Sequence, residues 1–238
     1  MVMVKALLLT ILAFQAYLAT ASDFPRVDAD LKIYDDTVLA KNVAFSKVPV
    51  NPHDKNWVKL KLSHMVDVDQ YMRGYSDTPF KHSYSKEETD YFQTLFGSRW
   101  SEMDSQNTND VKKLLEIYSW FTVTSFGGEA DRDAWLLVQH ADHDPEFQKQ
   151  VLTILDKLYI TGETNPSNYA YLWDRVAASW SDTSQRKPQR YGTQGTCTGP
   201  GTWEPLPVED PSNLDTRRRS VGLGPEAEYI ALFKDLCH

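Results

Sequence analysis

The sequence predicts a mainly α, single-domain helical bundle with a small hairpin or long loop around residues 188–206. Three observations carry that expectation. Apolar residues recur at helical spacing in one segment after another, Asx-Pro and Ser-x-x-Glu combinations mark helix starts, and glycine and proline crowd together between Pro188 and Pro207. The 238-residue chain is long enough to bury one sizeable core, and it contains neither an internal repeat nor a low-complexity tract.

The N-terminus reads as a leader. Lys5 is the only charge before an apolar run from Ala6 to Ala19, and Ala19-Thr20-Ala21 places small residues at the −3 and −1 positions of a signal-peptidase site. Residues 1–21 are therefore expected to be a signal peptide cleaved after Ala21, leaving a secreted or lumenal product. No later apolar run approaches the length of a bilayer span, so no membrane association is expected after cleavage.

Residues 22–56 combine Pro25, Pro49 and Pro52 with β-branched residues between Thr37 and Val50, and are expected to form an irregular N-terminal extension with at most one short strand. The helical domain then occupies 57–238. Its first helix runs from Trp57 to Arg73, with Val58, Leu62, Met65, Val66 and Met72 near one stripe and Gly74 as the stop. Ser85-Lys86-Glu87-Glu88 forms a capping-box pattern for a short helix through Phe96, ending near Gly97. Asn107 or Thr108 then caps a helix in which Val111, Leu114, Leu115 and Tyr118 share a face, followed by a loop at 122–128 and a helix from Asp131 to Ala141.

Asp144-Pro145 and Asn165-Pro166 each pair a capping side chain with a proline suited to the first helical turn. The helix after Asp144 carries Phe147, Val151, Ile154, Leu155 and Leu158 on one stripe; the helix after Asn165 runs through Trp180. Gly199-Pro200-Gly201 can turn a hairpin. Asp210-Pro211 and Pro225 start the last two helices, the second through Leu236, and Arg217-Arg218-Arg219 reads as a solvated helical face.

Net charge of −8 and a pI near 5.2 leave no basic surface for a phosphate backbone, so nucleic acid is not an expected partner. Cys197 and Cys237 are the only cysteines. In an oxidising compartment they predict a bridge that pins the C-terminal helix near residue 197 and stabilises by about 3 kcal/mol. A Cys-x-x-Cys redox motif is absent.

The densest polar cluster is Gln139-His140-Ala141-Asp142-His143-Asp144, at the junction of two predicted helices. A histidine beside carboxylates is a workable general acid or base near neutral pH. The interleaved His140, Asp142, His143 and Asp144 could also face a metal, but the helical His-Glu-x-x-His pattern is absent and Pro145 turns the chain. No metal and no cofactor are assigned. A second candidate lies at 188–194, where Arg190 can grip a carboxylate, Tyr191 can donate or accept a proton, and Gly192 allows close backbone approach, with Asp174 and Arg175 on the preceding helix as support.

The runs AWLLVQHADHDPEFQ (134–148), NYAYLWDRV (168–176), PQRYGTQ (188–194) and TWEPLPVEDP (202–211), together with MVDVDQYMR (65–73) and DSQNTNDVKKLLEI (104–117), resemble an uncharacterised family known mainly from bacterial proteins and lacking an assigned function. The resemblance covers roughly Leu60 to the C-terminus. The leader, the N-terminal extension and a polar insert around 75–100 depart from it. It implies a helical domain with a polar pocket. Asp69, Gln70, Arg73, Asn107, Gln139, His140, Asp144, Gln148, Arg190, Tyr191 and Gln194 match the family's polar pattern.

From these residues the expected function is acid/base chemistry on a small polar molecule: hydrolysis, elimination or cyclisation. His140 would carry the proton, Asp69, Asp144 or Asp174 would orient it, and Tyr191 would act as a second donor. Arg73 or Arg190 would hold an anionic group, with Gln70, Asn107, Gln139, Gln148 and Gln194 lining the same pocket. A non-catalytic small-molecule binder and a secreted interaction protein are the alternatives, and the sequence does not fix an oligomeric state.

Overall fold

The computed structural model describes residues 22–237, so the predicted leader lies outside the described residues. Among the described residues, ten α-helices and one two-stranded antiparallel hairpin follow in order: α1 (Pro25–Phe45), α2 (Lys55–Tyr75), α3 (Thr78–Lys81), α4 (Lys86–Tyr118), α5 (Val123–Phe126), α6 (Gly128–Gln139), α7 (Pro145–Leu158), α8 (Pro166–Ala178), β1 (Gly195–Gly199), β2 (Thr202–Pro205), α9 (Leu214–Ser220) and α10 (Glu226–Ala231). The fold is mainly α, as expected. Among the described residues no helix is long and apolar enough to cross a membrane.

The segment expected to be an irregular extension is instead a 21-residue helix. Pro25 occupies its first turn, where a missing amide hydrogen costs nothing. Val27, Leu31 and Tyr34 bury one narrow stripe against Met72, Phe92 and Phe96. The pattern was obscure because Ile33, Leu39 and Val43 point to solvent elsewhere on the same helix, which dilutes the apolar period. Ion pairs fix α1 laterally, Arg99 to Asp35 and Lys41 to Asp67.

The capping box forms as predicted: the Ser85 amide donates to Glu88 Oε2 at 2.8 Å and the Glu88 amide to Ser85 Oγ at 3.2 Å. The helix it opens does not stop at Gly97, however, but continues for 33 residues to Tyr118. A glycine inside a helix costs about 1 kcal/mol. Here aromatic packing on the same face offsets it, with Phe92 stacked on Phe96 at 4.9 Å and Phe96 meeting Trp100 edge-on at 6.1 Å. Asn107 and Thr108 are consequently buried inside α4 rather than capping a new helix.

The main core lies between α2, the C-terminal half of α4, α6, α7 and α8, around Leu62, Val111, Leu137, Val151, Leu155 and Leu172. A fully buried carboxylate ties its far end together. Asp131 accepts from Trp120 Nε1 (2.8 Å), Thr164 Oγ1 (2.7 Å), the Asn165 amide (3.0 Å) and Asn168 Nδ2 (2.9 Å), joining α6 to the start of α8.

The C-terminal third wraps this bundle. β1 pairs with β2 around Gly199-Pro200-Gly201, and a Cβ on Gly195 would sit 2.3 Å from both the Trp203 ring and the Glu204 carbonyl, so the register needs glycine there. The sulfurs of Cys197 and Cys237 lie at disulfide distance, with Cα atoms 5.4 Å apart. Helix α10 ends at Ala231, short of the predicted Leu236. The arginine triplet is not a solvated face either. Arg218 is buried and donates to the carbonyls of Gly224 (2.6 Å) and Tyr191 (2.5 Å), Arg217 holds the carbonyls of Arg190, Asp210 and Glu209, and Arg219 alone is exposed.

Candidate functional site

Three separate segments converge on His140. α6 ends at Gln139, and His140 is its C-cap, with backbone angles that release the chain into a short turn before Asp144 starts α7. Its Nδ1 lies 3.1 and 3.0 Å from the two carboxylate oxygens of Asp69 on α2. Asp69 is completely buried and is held from the other side by Arg73, one helical turn along, through Nε and Nη2 at 3.0–3.2 Å, and by Gln70 Nε2 at 2.8 Å. Arg73 Nη2 also donates to Asp104 Oδ1 on α4 at 2.6 Å, and its guanidinium lies 4.6 Å from the centre of the Trp100 ring.

Burial opposes the charge on Asp69, but hydrogen bonds from His140 and Arg73 outweigh it and hold this carboxyl below its usual value. Burial also lowers the pKa of His140, against the pull of Asp69. The neutral imidazole therefore donates Nδ1–H to an ionised Asp69, which leaves Nε2 as a bare acceptor. Burial, reinforced by the charge of Asp69, pushes Asp104 up to about 6 despite the opposing pull of Arg73.

His140 and Asp104 line one cleft of about 520 Å³ between α4 and the α6–α7 junction, together with Phe96, Trp100, Ser101 and Asp142. The junction wall is clamped. Arg175 of α8 grips Asp142 in bidentate fashion (2.9 and 2.5 Å) and donates to Gln194 Oε1 at 3.0 Å, while Gln148 Nε2 reaches the carbonyls of Val138 and Gln139 and the Asp142 carboxylate at 3.1–3.3 Å. Both arginines nearest the cleft are thus engaged by carboxylates, and Arg73 is not free to hold an anionic group as expected.

The structure brings His140, Asp69, Gln70 and Arg73 together and assigns the other predicted residues elsewhere. Asp144 caps α7, accepting from the Phe147 amide at 3.1 Å and pairing with Lys112, which holds it below its usual pKa. Gln148 and Gln194 act in the clamp just described. Arg190 pairs with Glu209 at 2.9 Å, half-exposed. Tyr191 packs in the main core edge-on to Tyr169, where burial raises its pKa.

Asp174, proposed above as a catalytic carboxylate, holds the 190–193 loop. It is fully buried and accepts from the amides of Arg190 (2.8 Å), Tyr191 (3.1 Å) and Thr193 (2.9 Å) and from Thr193 Oγ1 (2.9 Å), donors that converge because Gly192 turns the chain at φ +64°. Gln139 is buried next to His140 with its Nε2 unpartnered. Asn107 lines a different cavity.

Sequence reasoning missed Asp104 and Trp100 as site residues. A signal was present: Phe92, Phe96, Trp100 and Asp104 follow one another at four-residue steps, a single helical face once Gly97 is read as interior. Among the described residues no group of three or more His, Cys, Asp and Glu side chains is placed to hold a metal ion.

A family model described only as one of unknown function matches residues 66–237, which span the cleft from Asp69 to the C-terminal hairpin. No curated protein and no solved structure matches the chain.

Proposed function

The chain is thus a member of the family of unknown function DUF6624; from the cleft beside His140 we propose that it is an exported acid/base enzyme acting on a small polar molecule. The observation that carries this reading is the contact between His140 Nδ1 and the buried, ionised Asp69 at the wall of an open cleft. An imidazole fixed at one nitrogen by a carboxylate presents the other as a general base. Asp104, across the cleft lining and raised to about 6, is the matching proton donor. One group removes a proton and the other returns it, which is the requirement shared by hydrolysis, elimination and cyclisation.

The pH dependence follows from the two shifts. His140 must be neutral and Asp104 protonated in the same molecule, so the rate peaks in mildly acidic solution. It falls above about 6 as Asp104 loses its proton, and falls at the acid end as His140 gains one. Turnover of p-nitroacetanilide, whose amine leaving group needs a proton, should show both limbs. Heteronuclear NMR of His140 should report the neutral Nδ1–H tautomer persisting below pH 6.5, the ordinary imidazole value; an imidazole that titrates at or above that value ends the proposal.

Export is supported by the leader-like segment and by the cysteine pair at disulfide distance. Protein recovered from the medium of an expressing cell should begin at Ser22 and carry two cysteines that resist alkylation until reduced. Intact mass with and without reductant decides it.

A further inference from the structure

Along α4 the cleft beside His140 changes character. Asp104 belongs to its proton-transfer end, whereas Phe92, Phe96, Gly97 and Trp100, earlier on the same helical face, give an end with no charged side chain in its lining. Phe92 and Phe96 are buried and stack at 4.9 Å; Trp100 is partly open and meets Phe96 edge-on at 6.1 Å, so the three rings form one continuous floor. The indole is fixed in place. The Arg73 guanidinium lies 4.6 Å from its ring centre, and its N–H donates to Asp104.

Gly97 interrupts this wall for no reason internal to the fold. Its backbone does not enter the left-handed region, and a Cβ added to it would meet nothing within 4 Å, so neither conformation nor packing calls for glycine. An interior glycine also opposes helix formation. What the missing side chain leaves is open space beside the aromatic floor, which a flat ring can occupy.

The charges of the cleft are already paired. Arg73 is engaged by Asp69 and Asp104, Arg175 by Asp142, and among the described residues no lysine or arginine lines the cleft. An anion would meet two carboxylates and no free guanidinium or ammonium group. A cation would have to displace Arg73 or Arg175 from its partner. An uncharged occupant meets neither penalty. Gly97 and Asp104 are seven residues apart, about 10 Å along the helix, a span covered by an aromatic ring that carries a carboxamide or ester.

We propose that the substrates of the His140 cleft are neutral aryl carbonyl compounds, the planar ring seated over Gly97 against Trp100 and the amide or ester group lying between Asp104 and His140, with Gly97 as the residue that admits the ring. This rests on the cleft being the substrate site of an acid/base enzyme, but its readout is binding. The probes are 2-naphthamide and its charged isosteres 2-naphthoate and 2-naphthamidinium, titrated into the protein and followed by protein-detected NMR. The amide should saturate at one equivalent, and both charged forms should bind at least tenfold more weakly. Gly97→Leu should weaken binding of the amide at least tenfold while raising the melting temperature, because the new side chain enters open space and a helix-interior glycine is removed. Ser98→Leu, at the adjacent exposed position outside the cleft, should leave binding unchanged. Absence of saturable binding, a charged isostere that binds as tightly as the amide, Gly97→Leu with full affinity or a lowered melting temperature, or binding lost in Ser98→Leu overturns the proposal. A protein that shows the expected binding pattern yet turns over no aryl amide or ester loses the acid/base reading alone; one whose turnover is untouched by Gly97→Leu loses this inference alone.

Discussion

Replacing His140 by alanine is expected to reduce turnover by about 10²–10⁴-fold, the usual contribution of a positioned general base, while changing stability by no more than about 1 kcal/mol. The two readouts separate because of how Asp69 is held. A buried carboxylate stripped of its partners destabilises a fold severely, but Asp69 keeps Arg73 on two nitrogens and Gln70 on a third when the imidazole is gone. The space left by the ring opens onto the cleft, so water fills it and no closed void forms. Turnover of p-nitroacetanilide and thermal unfolding of the same preparation provide the measurement. A folded His140→Ala protein with full turnover would leave the cleft as a binding site and remove the base.

The opposite pattern is expected at Asp174. Its removal in Asp174→Ala strands four donors, three backbone amides and the Thr193 hydroxyl, in a region from which solvent is excluded. Loss of one member of such a charged, buried arrangement costs about 3–5 kcal/mol. That is a large share of the stability of an ordinary domain. Urea denaturation should show the midpoint falling steeply, and at temperatures where the variant is still folded the NMR signature of His140 should be unaltered. A loss below about 1 kcal/mol, or a His140 tautomer that changes with Asp174, would return this carboxylate to the site.

The contrast between these two residues shows what the chain disclosed before folding. Helix starts were legible wherever a cap coincides with proline or an acidic third residue, at Ser85, Asp144 and Asn165, because those signals act locally. Helix α1 and the continuity of α4 were not, since a narrow buried stripe and an interior glycine are decided by partners distant in sequence. At the site, Asp69 was one of three carboxylates offered to orient His140 and Arg73 one of two arginines offered to hold an anionic group, and their neighbour Asp104 was not named. Asp174 and Tyr191 were placed in the pocket because a polar side chain that satisfies loop amides, or one that sits in a core, has the same appearance in sequence as one that faces a substrate.

Helix α4 carries one more implication. Asp104 belongs to the His140 cleft, while its immediate neighbour Met103 and Asn107, one turn on, line the cavity on the other side of the helix. The helix is a common partition, and successive residues along it report to opposite compartments. Should an occupant of the cleft favour a slightly different rotation of this partition, its far face would turn with it, and linkage requires that whatever biases that face alter affinity in the cleft by the same factor in return. The methyl NMR signal of Met103, followed while the cleft is titrated, would report that rotation directly.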